Sequence, residues 1–153
     1  MSQKSRRTWG ILLNLLAIAA LLAFIFGNSL KTVVQSEEQS MNVLAVVSGL
    51  FQQFFGYGGL TDHIVRKLAH FCEFAALGFF VQHLFWMMRR QVNPHYVLHG
   101  MFFGLLCAVT DEMLQTLTDR SPQVSDVLLD FSGVAFGSAG FLLLYLLIRR
   151  CRR

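Results

Sequence analysis

Residues 9–27 read WGILLNLLAIAALLAFIFG, an apolar run that contains one asparagine and no charged residue. A helix needs about 20 such residues to cross a bilayer. Three more runs of similar length follow, at 68–88, 97–117 and 127–148. The sequence therefore predicts one all-α membrane domain over residues 1–153, an integral membrane bundle of four transmembrane helices.

The first run also has to be distinguished from a secretory signal, because Lys4, Arg6 and Arg7 precede it. It is longer than the apolar core of a typical signal. Residues 24–28 read FIFGN, which is not a small-residue cleavage site. We therefore expect the first run to be a retained helix.

The composition indicates lipid as the solvent and argues against nucleic acid as a partner. Hydrophobic residues make up 54% of the chain and charged residues 14%, whereas soluble domains carry about 25% charged residues. The net charge of +4 comes from short basic clusters beside apolar runs rather than from a basic, aromatic-interleaved face. The sequence therefore predicts membrane lipids, and no nucleic acid, as partners.

The basic residues also predict an orientation. With a cytoplasmic N-terminus, nine of the thirteen Lys and Arg residues lie on the cytoplasmic side: Lys4, Arg6, Arg7, Arg89, Arg90, Arg149, Arg150, Arg152 and Arg153. By the positive-inside rule, this distribution favours a multi-pass protein with both termini in the cytoplasm.

A longer connection separates the first two runs. Within it, residues 43–55 carry an apolar stripe at helical spacing, formed by Val43, Val46, Val47, Leu50, Phe51, Phe54 and Phe55. Such a stripe is typical of an amphipathic helix that lies in the membrane interface. We therefore expect one interfacial helix beside the four spans.

Polar residues cluster at one end of the last three runs. In the predicted orientation the second run starts outside, the third ends there and the fourth starts there, so these polar stretches share one depth. We predict that they form a polar pocket open to the outer side. Its candidate residues are Arg66, Lys67, His70, Glu73, Asp111, Glu112, Gln115, Arg120, Ser125, Asp126 and Asp130.

Helical spacing places the acids and glycines of the fourth run on one face. Asp126 and Asp130 are four residues apart, and the same stripe continues through Gly133, Gly137 and Gly140. Glycines four apart form a GxxxG motif, which lets a second helix approach closely. We therefore predict these three glycines as helix-packing positions that turn toward the bundle.

A charge at the bilayer centre costs about 3 kcal/mol unless it is paired, hydrated or bound to a ligand or an ion. The acids therefore allow three interpretations. They form salt bridges between helices, they bind a ligand, or they hold a divalent metal ion. Candidate metal ligands are His70, Glu73, Asp126 and Asp130, whose imidazole and carboxylates suit such an ion. No complete phosphotransfer motif is present, so the sequence establishes neither a cofactor nor enzymatic activity.

Three stretches of these residues resemble the VanZ-like family of bacterial membrane proteins. Residues 66–78, RKLAHFCEFAALG, resemble the family pattern RK-x-x-HF-x-EY-x-x-LG, and residues 111–115, DEMLQ, resemble DE-x-x-Q. Residues 120–133 resemble GRS-x-x-x-x-DV-x-x-D-x-x-G. The resemblance extends over about residues 25–145, with Phe74 replacing the usual Tyr and Asp119 replacing the usual Gly.

The resemblance implies a cell-envelope protein of the bacterial inner membrane, in a family whose namesake is linked to resistance to the glycopeptide antibiotic teicoplanin. The expected function is recognition of an envelope lipid or lipid carrier, a wall precursor, or a glycopeptide-type antibiotic through the outward-facing pocket. Two alternatives stay open. One is a metal-dependent membrane enzyme that acts on a phospholipid or polyprenyl phosphate. The other is a structural membrane subunit that packs through its GxxxG face, and the oligomeric state is left open.

Overall fold

The computed structural model describes residues 3–32, 35, 41, 44, 61–118 and 121–151. Four long α-helices account for most of them: α1 (Gln3–Ser29), α2 (Asp62–Arg89), α3 (Pro94–Gln115) and α4 (Val124–Cys151), with a short 3-10 turn at Thr116–Thr118. Each of the four helices is long and apolar enough to cross a membrane. The prediction of an all-α chain with four candidate spans is thereby confirmed.

Helix α2 begins six residues before the apolar run that predicted it. The Thr61 side chain caps it by accepting a hydrogen bond from the Ile64 backbone N–H. At the start of α3, Asn93 accepts a hydrogen bond from the His95 N–H, and Pro94 occupies the first turn. Capping of polar first turns extends the helices beyond their apolar runs, so the polar residues at the start of α2 are helical.

Two sequence predictions fall outside the described residues. The amphipathic helix over 43–55 lies almost entirely in the part of the chain that is not described, with a helical assignment only at residue 44. The candidate pocket residue Arg120 is also outside the described ranges. Both stay predictions.

Helix α2 has the most extensive contacts in the bundle: it packs on all three other helices, and most extensively on α4. The core is built around Phe74 and Leu77 of α2, which are fully buried. Ile25 of α1 and Val134 of α4 are fully buried against them, and Ala108 of α3 completes the cluster. This packing holds the ends of all four helices in register.

Two glycines allow the close contact between α2 and α4. A Cβ added to Gly133 would lie 2.5 Å from the Phe71 backbone oxygen, and one added to Gly137 would lie 2.6 Å from the Ala75 carbonyl carbon. A Cβ added to Gly140 would meet nothing within 4 Å among the described residues, so Gly140 lies outside this contact. Gly133 and Gly137 of the GxxxG motif therefore pack on α2 within the chain.

Polarity is inverted relative to a water-soluble protein. Large apolar side chains lie on the surface, with Leu98 and Phe136 each 66% exposed, while Ser29 and Asp111 are 0% exposed. Exposed apolar area is stable next to lipid chains, and polar groups there need partners inside the protein. The bundle therefore encloses its polar residues, as a membrane-spanning protein must.

Candidate functional site

The candidate site lies at the end of the bundle opposite the two chain termini. Helices α2 and α4 start there, and helices α1 and α3 end there. At a rise of about 1.5 Å per residue, His70 lies about 12 Å from the start of α2, Asp130 about 9 Å from the start of α4, and Asp111 about 6 Å from the end of α3. Polar residues that are distant in sequence therefore reach similar depths.

A polar cavity of about 220 Å³ opens at this end. Seven of the predicted pocket residues line it: Arg66, Lys67, His70, Glu112, Gln115, Asp126 and Asp130. His63, Ser121 and Gln123 line it as well, although the sequence did not single them out as site residues. The cavity thus has both acidic and basic walls, built from three helices and the connection between α3 and α4.

The other predicted residues that the structure describes are Glu73, Asp111 and Ser125, and they do not line the cavity. Glu73 and Asp111 are on the helices that form it but are not among its lining residues. Ser125 is exposed, and its hydroxyl lies 3.2 Å from the Gln123 side-chain oxygen and 3.4 Å from Asp126 Oδ1. Ser125 therefore belongs to the rim of the site rather than to its interior.

An ion pair joins two walls of the cavity. Lys67 Nζ lies 2.7 Å from Asp126 Oδ1 and links the first part of α2 to the first turn of α4. Both side chains are about one-third exposed, at 34% and 29%, so solvent screens the pair and its contribution to stability is small. The ion pair means that Asp126 already has a basic partner within the protein.

Glu112 is held by hydrogen bonds that organise the connection between α3 and α4. Gln115 Nε2 donates to Glu112 Oε1 at 3.1 Å, and the Gln123 backbone N–H donates to Glu112 Oε2 at 3.0 Å. The side chain is 4% exposed. A buried carboxylate therefore ties the connecting segment to the end of α3.

Asp111 is the most deeply buried acid of the site. The Ser29 hydroxyl donates to Asp111 Oδ1 at 2.6 Å, and Gln115 Nε2 donates to Asp111 Oδ2 at 3.1 Å. Ser29 was not predicted as a site residue, although the polar residues 28 and 29 directly follow the first apolar run. Helix α1 thus completes a site that the sequence assigned to the last three helices.

We expect Ser29→Ala to lower the free energy of unfolding by about 1 kcal/mol, since hydrogen bonds inside membrane proteins average about 0.6 kcal/mol and reach about 1.7. The matched control is Ser132→Ala, because Ser132 is exposed and its hydroxyl donates to the Leu129 carbonyl within α4. Unfolding in mixed detergent micelles with sodium dodecyl sulfate measures both. Equal effects of the two substitutions would contradict the role of the Ser29–Asp111 bond.

Glu73 connects the site to the end of α1. The Asn28 side chain hydrogen-bonds the Glu73 carboxylate, and Lys31 acts on this carboxylate electrostatically. Lys31 Nζ donates to Asn28 Oδ1 at 2.7 Å. On its other side Glu73 Oε2 lies 4.0 Å from His70 Nδ1, and among the described residues this oxygen has no hydrogen-bond partner.

One group of side chains has the geometry of a metal site. Ligand atoms of His70, Asp111 and Asp130 all lie within 4.8 Å of one another. The sequence suggested His70, Glu73, Asp126 and Asp130 instead. The structure brings His70 and Asp130 together but pairs Asp126 with Lys67, and it adds Asp111 from α3.

Comparison with known proteins identifies the family of the chain. The VanZ/LLP1 family model matches residues 13–148, which include all of α2 and α3, most of α1 and α4, and every described residue of the candidate site. No curated protein and no solved structure has significant similarity to the chain. The resemblance noted in the sequence is confirmed, and the chain belongs to the VanZ/LLP1 family.

Proposed function

We propose that the chain binds the anionic phosphate head group of an envelope lipid or lipid-linked wall precursor in the polar cavity. The observation that carries this proposal is the composition of the cavity walls. Arg66 and Lys67 line a cavity that also contains two histidines and three acids and lies at the end of a membrane-spanning bundle. Arginine binds phosphate through paired hydrogen bonds, and lysine adds a point charge.

The size of the cavity supports a small head group rather than a glycopeptide as the ligand. Pockets that enclose drug-sized molecules measure about 300–1,000 Å³, whereas this cavity measures about 220 Å³. It has room for a phosphate head group but does not enclose a glycopeptide such as teicoplanin. In this proposal an effect on glycopeptide susceptibility would arise through a lipid-linked wall precursor rather than through enclosure of the antibiotic.

Location favours a ligand that is anchored in the membrane. The cavity lies at the depth of the outer helix ends, where head groups meet the protein, and the surrounding helix surfaces are apolar, as shown by Leu128, which is 60% exposed. A lipid therefore places its chains along these apolar surfaces while its head group enters the cavity. With the termini in the cytoplasm, the cavity faces the outer leaflet.

The test uses the full chain purified in detergent and titrated with short-chain phosphatidic acid or a short-chain polyprenyl phosphate. Native mass spectrometry counts the bound lipid. We expect both phosphate monoesters to bind more tightly than phosphatidylcholine of the same chain length. We also expect Arg66→Gln to weaken their binding about tenfold, because a hydrogen bond to a charged group is worth about 1.5–3 kcal/mol.

Arg149→Gln is the matched control, since Arg149 is an exposed base at the other end of α4. The proposal is wrong if Arg66→Gln and Arg149→Gln have equal effects, or if phosphatidylcholine binds as well as the phosphates. Saturable binding of free teicoplanin that Arg66→Gln abolishes would identify the antibiotic as the ligand instead. Release of inorganic phosphate from the bound lipid would identify an enzyme.

A further inference from the structure

The described part of the bundle contains a buried carboxylate with no compensating charge. Asp130 is 2% exposed and lies within the membrane-spanning part of α4. It forms no hydrogen bond or ion pair within the described residues. The charged groups that act on it are four other acids, Asp111, Glu112, Asp126 and Glu73. A carboxylate in this position requires a cation or a proton to offset its charge.

The neighbours of Asp130 are suited to hold a cation. Its carboxylate approaches ligand atoms of His70 on α2 and Asp111 on α3, and all three lie within 4.8 Å of one another. Ligands bonded to one zinc ion at about 2.0–2.2 Å lie roughly 3–4 Å apart, so small side-chain rotations would close the group around an ion. Three helices thus each present one ligand to a common point.

Hydrogen bonds hold one of these ligands, Asp111, in place. Asp111 receives bonds from Ser29 and Gln115, which fix the orientation of its carboxylate. Glu73 Oε2 lies 4.0 Å from His70 Nδ1 and is a buried acceptor without a hydrogen-bond partner among the described residues, so it is placed to bind the imidazole or to add a fourth ligand. Partners of this kind are typical of metal sites.

We propose that His70, Asp111 and Asp130 bind one divalent metal ion of the zinc or manganese type at the inner end of the polar cavity. One imidazole and two carboxylates suit these ions, whereas calcium takes oxygen ligands alone. His70 and Asp130 line the cavity, so the remaining coordination positions of the ion face it. The site goes beyond the binding of a lipid phosphate and does not depend on it.

The experiment titrates the chelator-stripped full chain in detergent with Co²⁺, which reports coordination through its visible absorption. We expect saturation at one ion per chain and displacement by Zn²⁺. Asp130→Asn keeps the size of the side chain and removes its charge. We expect it to weaken Co²⁺ binding at least about tenfold, since mutation of even the hydrogen-bond partners of metal ligands lowers metal affinity by about tenfold or more. His70→Gln should change the absorption spectrum, because the nitrogen ligand is lost.

The matched control is His99→Gln, the same change as His70→Gln at an exposed histidine near the start of α3, at the other end of the bundle. We expect this variant to bind Co²⁺ as the wild type does. A melting curve provides a second measurement, in which Zn²⁺ raises the melting temperature of the wild type and His99→Gln but not that of Asp130→Asn.

Two results would overturn the metal site. Absence of saturable Co²⁺ binding by the wild type would show that protons offset the charge of Asp130. Equal affinity of Asp130→Asn and wild type would show that the ion binds elsewhere. Lipid phosphate binding by a chain that takes up no metal would overturn this proposal and leave the proposed function intact, while metal uptake without lipid binding would do the reverse.

Discussion

Gly137→Ala is expected to lower the free energy of unfolding by about 3 kcal/mol or more and to reduce the yield of folded protein sharply. The added Cβ would lie 2.6 Å from the Ala75 carbonyl carbon and closer still to its oxygen, both in the backbone of α2. A rigid helix backbone cannot move aside as a flexible side chain can. Helices α2 and α4 would have to separate along the most extensive helix contact of the bundle.

Gly140→Ala is the control for this prediction. It makes the same chemical change three residues later on the same helix, where the added Cβ meets nothing within 4 Å among the described residues. Alanine favours a helix over glycine by about 1 kcal/mol in water, so Gly140→Ala is expected to be neutral or mildly stabilising. Unfolding in mixed micelles measures both variants, and similar stabilities would refute the close contact at Gly137.

The second prediction with a large effect concerns which side of the membrane each end of the bundle faces. Labelling at each position is expected to be all or none. A cysteine introduced by Ser121→Cys at the exposed connection beside the cavity should react with a membrane-impermeant maleimide in intact cells. Cys151, exposed at the end of α4, should react after permeabilisation and not before. The reason is the concentration of bases at the termini, which retains that end in the cytoplasm.

Each protein in this experiment needs one reactive thiol. Cys72→Ala is therefore made in both chains, with Cys151→Ala added where position 121 is probed, while the buried Cys107 is kept. Labelling of Cys151 in intact cells, without labelling at position 121, would reverse the topology. The cavity would then face the cytoplasm, and recognition of an outer-leaflet head group would be wrong.

The fold was largely predictable from the apolar runs, and the errors lie at their ends. The run at 68–88 marked the middle of α2 but missed its first turns, since α2 starts at Asp62. Hydropathy identifies residues that contact lipid and carries no information about polar turns that are stabilised by caps. Thr61 and Asn93, the caps of α2 and α3, set these boundaries.

The site was predictable in depth but not in its pairings. Helical spacing and the alternating direction of the spans placed Arg66, His70 and Asp130 at one end, and the structure brings them to one cavity. The sequence did not show that Asp126 pairs with Lys67, nor that Ser29 of α1 binds Asp111, and the structure shows both contacts. These contacts depend on which helices are lateral neighbours, and spacing along one helix contains no information about that.

The amino-acid sequence by itself determined that this chain has four candidate spans, that its polar residues gather at one end, and to which family it belongs. These properties follow from the thickness of a bilayer, the 3.6-residue period of a helix and the spacing of residues within short motifs. Tertiary structure alone decided that α2 makes the most extensive contacts and that Gly133 and Gly137 pack on it inside the bundle. It also decided that Asp111 rather than Asp126 lies beside His70 and Asp130. The physical reason is that side-chain partners across helices are set by close packing, which depends on every interface at once.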